Sequence, residues 1–173
     1  KDIRLNDKEM LSLYDYAAEN DLVVMIHPRE SDLEDLDDAL RHNPQTIFLL
    51  HGDEGVENII PPLLDKHNNI YYSLDAGLMY PYSIPMAGMT KEKFLNNLQS
   101  EEMYSRILAS SLQSWKPLIE KYPNRIMWGT DALWTWHLDV YPEVTRFARD
   151  FIGNLDPEVQ EKFAHKNAEA LFS

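Results

Sequence analysis

Three hydrophobic runs in this chain end in the same way. LVVMIH closes on His27, TIFLLH closes on His51, and RIMW passes through Gly129-Thr130 to Asp131. Continuously apolar, β-branched runs of this length are the pattern of strands covered on both faces, which is how parallel sheets are built. Each run sets a group able to bind metal or move a proton at the point where strand meets loop. In a barrel of parallel strands that edge is the rim on which active sites are assembled. Three such endings point to a hydrolytic site. A complete eight-stranded barrel needs more chain than 173 residues.

The segments between the runs read as helices. Residues 8–20 place Met10, Leu11, Tyr14, Ala17 and Ala18 on one side, with Asp7 in position to cap the start. Residues 32–40 bring Leu33, Leu36 and Leu40 inward. Val56, Ile59, Ile60, Leu63 and Leu64 follow helical spacing, and Pro61-Pro62 is expected to break or divide that helix. A third strand spans residues 70–74 and ends at Asp75, and a long Gly- and Pro-containing loop over residues 76–89 follows it. Helices are expected over residues 91–99 and 101–121, with Pro117 arguing against continuity in the second. A fourth strand over residues 125–128 precedes two amphipathic helices, the last opened by Asp156-Pro157. Helix, four strand–helix units and a terminal helix make one domain over residues 1–173. Its sheet is parallel if the crossovers are right-handed. An independent flavodoxin-like sheet is the competing architecture.

Lys and Arg total 16 against 29 for Asp and Glu, a formal charge of -13. Such a surface repels nucleic-acid backbones and anionic membranes, so neither is an expected partner. With no cysteine, disulfides and thiolate ligands are excluded. No signal segment or long apolar span is present, which leaves the cytoplasm as the default compartment. The first residue is Lys, which fits processing or a fragment.

VVMIHP at residues 23–28, FLLHG at 48–52, NIYYSLD at 69–75, RIMWGTDA at 125–132 and EKFAHKNAEALF at 161–172 together span nearly the whole chain. In order and spacing they resemble the carboxyl-terminal half of the amidohydrolase superfamily. The nearest branch is amidohydrolase family 2, which includes aminocarboxymuconate-semialdehyde decarboxylase and related lactone hydrolases. The resemblance implies an α/β fold, half of a TIM-type (β/α)8 barrel, with strands equivalent to five through eight. It implies that His27 is the strand-five metal ligand and that His51 is the strand-six histidine acting on the nucleophilic water. Asp131 matches the strand-eight aspartate that approaches the metal and exchanges a proton. The His-x-His pair that the family carries on its first strand has no counterpart here, nor do strands one through four. The resemblance therefore implies a fragment or shortened member that needs a missing amino-terminal half or another chain, and leaves open whether this chain alone is an enzyme.

The parent activity so implied is metal-dependent hydrolysis of a small carbonyl or carboxylate-bearing compound, such as a carboxylated lactone or cyclic ester. Nonoxidative decarboxylation of an unsaturated or aromatic acid and a noncatalytic α/β binding module are the alternatives. Zinc suits histidine and carboxylate ligands best; manganese, iron or no metal stay open. Each residue also has a plainer reading. His27 and His51 can be hydrogen-bonded histidines at strand ends, and Asp131 a loop cap. Arg29 can bind a substrate carboxylate or pair with Glu30, Asp32 or Glu34. Trp134, Trp136 and His137 can form a pocket wall or pack at a loop–helix junction. Asp75 fits a terminal turn better than a pocket. His42, His67 and His165 are assigned to the surface, outside the site.

Overall fold

Four short strands, β1 (Val23–Ile26), β2 (Ile47–His51), β3 (Ile70–Leu74) and β4 (Ile126–Trp128), lie side by side in chain order. Every pair is parallel. The structure is a computed structural model and describes residues 3–51, 59–74, 76–79, 82, 88–132 and 134–173. Sequential parallel strands joined by helices form a partial α/β sheet of half-barrel type, with β1 and β4 as its edges.

The register divides the sheet into two unlike faces, because side chains alternate along a strand and paired residues point the same way. Phe48 pairs with Ile70, Leu50 with Ile26 and Tyr72, and Tyr72 with Ile126. These residues are buried in the main core with Tyr14, Leu36, Trp115 and Phe163. Helix α1 (Lys8–Glu19) contributes Tyr14, whose ring meets Phe48 edge-on at 5.0 Å, and α5 (Glu101–Lys121) contributes Trp115, 6.1 Å from Tyr72. The opposite face carries Val23 and Met25 from β1, Ile47, Leu49 and His51 from β2, Tyr71 and Ser73 from β3, and Met127 from β4. Its covering is incomplete: Leu49, Ser73 and Met127 are buried, yet Met25 is 60% exposed.

Local chemistry accounts for most element boundaries. Asp7 holds the N-cap position of α1, but its carboxylate accepts from the Arg4 backbone N–H and leaves the helix uncapped by a side chain. Helix α2 (Leu33–His42) buries Leu36, Ala39 and Leu40. Pro61 and Pro62 do not divide a helix; they fall in the first turn of α3 (Ile60–Lys66), where a missing N–H costs no intrahelical bond. Val56 lies outside the described residues, as do Asp75 and much of the predicted loop; Ala76–Met79 of that loop form a short 3-10 turn. Ser100 caps α5 by accepting from the Met103 N–H, after α4 (Lys91–Gln99). Helix α5 runs unbroken through Pro117, contrary to the sequence expectation, because Trp115, Leu118 and Ile119 are buried on either side of the proline.

After β4, a short helix not anticipated from sequence, α6 (Thr135–Asp139), leads into α7 (Tyr141–Gly153). The chain ends in α8 (Pro157–Glu161), one turn of π-helix (Lys162–Lys166) and α9 (Asn167–Phe172). The buried Asn167 amide donates to the carbonyls of Pro123 and Ile126, tying the terminal helix to β4. At the same end of the sheet, Asn69 donates to the carbonyls of Leu40 and Thr46. His67 is buried rather than on the surface, with Nε2 2.7 Å from Asp37. Among the described residues no helix is long and apolar enough to cross a membrane.

Candidate active site at the carboxyl-terminal edge of the sheet

Parallel strands deliver the ends of all four strands to one edge. His51 is the last residue of β2, and His27 follows β1 directly. Since Ile26 pairs with Leu50, the two histidines stand at the same level on adjacent strands. Their rings meet edge-on, with centroids 5.1 Å apart and planes at 60°. Asp131 reaches the same place from the loop after β4. Its Oδ1 lies 3.7 Å from His51 Nε2, too long for a direct hydrogen bond but close enough for strong electrostatic coupling. Both side chains are largely shielded, 21% exposed for His51 and 30% for Asp131, whereas His27 is open to solvent.

Asp131 holds this position with a φ of 43°, in the left-handed region that L-residues rarely occupy. Aspartate tolerates that region better than most residues. The kink turns the chain back across β3 toward His51. Beneath the pair lies Ser73, which pairs with His51 in the ladder, is buried, and shares the His51 face. Ser73 escaped the sequence reading. The signal was present in the alternation Tyr71-Ser73 against Ile70-Tyr72-Leu74, which marks the more polar face of β3.

The other sequence candidates are placed differently. The Arg29 guanidinium forms a two-pronged pair with Asp32, at 3.0 and 3.2 Å, and this holds the Asp32 carboxyl below the usual aspartate range. The pairing choice is thus Asp32, and it braces the turn ahead of α2. Trp136 packs edge-on against Phe94 of α4 at 5.6 Å and against His137 at 4.3 Å. His137 is buried and borders a small apolar cavity with Met79, Phe94, Trp128, Thr130 and Phe147. That cavity lies behind β4 and is bordered by none of His27, His51 or Asp131. Trp134 is the N-cap residue of α6 and is exposed.

Two imidazoles and a carboxylate are the donor types that zinc prefers, so the residues fit a metal in kind. They fall short in number. No cluster of three or more His, Cys, Asp or Glu able to hold an ion occurs among the described residues. The edge supplies a proton-transfer pair and part of a ligand shell.

A family model described as Amidohydrolase matches residues 2–173. Among solved structures, an amidohydrolase from Burkholderia multivorans with bound zinc is 16% identical, with a TM-score of 0.56 over 96% of this chain and 58% of that one. A second crystal form of the same amidohydrolase, with bound HEPES, gives 15% identity and a TM-score of 0.57 over the same shares. The chain therefore spans 58% of the length of the solved structures it matches. No curated protein matches it.

Proposed function

Since this chain belongs to the amidohydrolase family, we propose that it carries the proton-transfer half of a metal-dependent hydrolase for small carbonyl compounds, with a carboxylated lactone or cyclic ester as the substrate class. One observation carries the reading: His27, His51 and Asp131 converge on a single edge of a parallel sheet, with His51 Nε2 3.7 Å from Asp131 Oδ1. The four strands are read as equivalents of strands five through eight of the complete barrel. His27 and Asp131 would hold the metal, with zinc the first choice because a solved amidohydrolase of this fold has bound zinc. When bound, the ion supplies Lewis-acid polarisation of the carbonyl and a lowered pKa for water.

The chain's own groups supply the proton movements. Asp131 Oδ1 accepts a proton from the attacking water and returns it to the leaving alkoxide. His51 Nε2 orients that water and hydrogen-bonds the oxygen on which charge develops. Ser73 floors the space between them. The remaining ligands must come from strands beyond these four, from an amino-terminal half or from another chain. Zinc binding measured calorimetrically, together with turnover of a carboxylated-lactone panel, tests the proposal. We expect weak or absent turnover in this chain, restored turnover in a completed barrel, and at least a hundredfold loss, about 2.7 kcal/mol, in Asp131→Ala. A completed barrel that is active without metal and indifferent to Asp131→Ala would sink it.

A further inference from the structure

The large apolar side chains left in solvent are not scattered. Among the described residues they fall only at the two ends of the sheet. Leu13 and Tyr16 on α1 adjoin Leu22 and Met25 at the β1 edge, whereas Trp134 and Leu138 follow β4. The middle units, β2 and β3 with α2 through α5, expose none. A sheet whose only uncovered apolar residues lie at its two open edges has two seams. The half-exposed second face, with Met25, Ile47 and Tyr71, lies between those seams.

We infer that two copies of this chain close on each other, seam to seam, into one eight-stranded barrel whose rim pools the His27, His51 and Asp131 sets of both copies. Four strands are half of the eight that close such a barrel. A twofold axis along the strands puts the β1 edge of each copy beside the β4 edge of the other, with all strands parallel. An occupant must match the strand direction, the strand number and both apolar seams, and a second copy has all three by construction. Such closure removes both open edges and supplies from the partner the ligands that one copy lacks. Each copy carries a charge of -13, so repulsion opposes association. The pairing is therefore apolar in origin and strengthens as salt screens the repulsion.

The zinc part of this inference rests on the hydrolase reading; the association rests on the seams alone. Sedimentation equilibrium of the full chain should give twice 20.2 kDa. Its dissociation constant should fall as NaCl rises from about 0.05 to 0.5 M. Met25→Lys and Leu138→Lys, one on each seam and both at exposed positions, should each raise that constant at least about tenfold while leaving the circular dichroism unchanged. Zinc titration should show binding only where the dimer is populated. A monomer at concentrations up to about 100 μM in high salt, or a dimer indifferent to both seam variants, overturns the inference. A monomer of that kind would point to a different half-barrel as the occupant. Zinc bound by the monomer overturns the pooled site. A dimer that is lost in the seam variants but takes up no zinc supports the association and removes the metal reading.

Discussion

Asp131 combines the two properties that matter at the level of single residues. It faces His51 across 3.7 Å, and it does so from a left-handed backbone with φ of 43°. An L-residue in that region costs about 1–2 kcal/mol, and glycine is free of that cost. Asp131→Gly should therefore be more stable than Asp131→Ala by roughly 1 kcal/mol, although both lose the carboxylate. Urea unfolding of the pair measures this; equal stabilities would show that the left-handed turn stores no strain. The identity of Asp131 as a site candidate was legible from its place after a buried run. Its conformation was not, because φ at a loop residue depends on where the chain has to go next.

At the scale of elements, side-chain amides set the relative positions of the strands. The buried Asn69 amide at the start of β3 donates to the carbonyls of Leu40 and Thr46, at 3.2 and 3.0 Å. One side chain thus joins the end of α2 to the entrance of β2. Asn69→Ala would strand two buried carbonyls, and a loss of about 2–3 kcal/mol is expected from chemical denaturation. A change below about 0.5 kcal/mol would mean that water or a shifted loop replaces the bonds. Helix and strand identities followed from hydrophobic period, and α4 and α5 match the sequence expectation end to end. Misjudgements arose where packing overrode local preference. Pro117 is carried inside α5 by the buried residues around it, and Pro61-Pro62 opens a helix instead of dividing one.

For the whole molecule, titrating groups fastened between elements set the pH limits of stability. Tyr104 of α5 hydrogen-bonds Asp150 of α7, and burial together with that bond pushes its hydroxyl up to about 12. The folded state therefore holds this proton more tightly than the unfolded chain, whose tyrosines titrate near 10. The resulting stability is fully present below pH 10 and is lost as pH rises toward 12. Tyr104→Phe should flatten the alkaline limb of the stability profile, and an unchanged limb would refute the assignment. The acid limb has the opposite sign. Asp35 is held below the usual range by the Arg4 guanidinium, and Asp65 by hydrogen bonds from Tyr122 and Lys121. Their contributions are present at neutral pH and disappear as pH falls through the depressed values.

From the sequence alone came the strands, their parallel order, and the two histidines and one aspartate at their ends. Those features are written in local period and in residue type at strand termini, which physics reads over a few neighbours. Tertiary structure decided what depends on distant parts of the chain. It showed which sheet face is covered and paired Ser73 with His51. It also engaged Arg29 with Asp32 and gathered the exposed apolar side chains at both edges of the sheet. Burial and register are sums over contacts between segments far apart in sequence, so no window of the chain contains them.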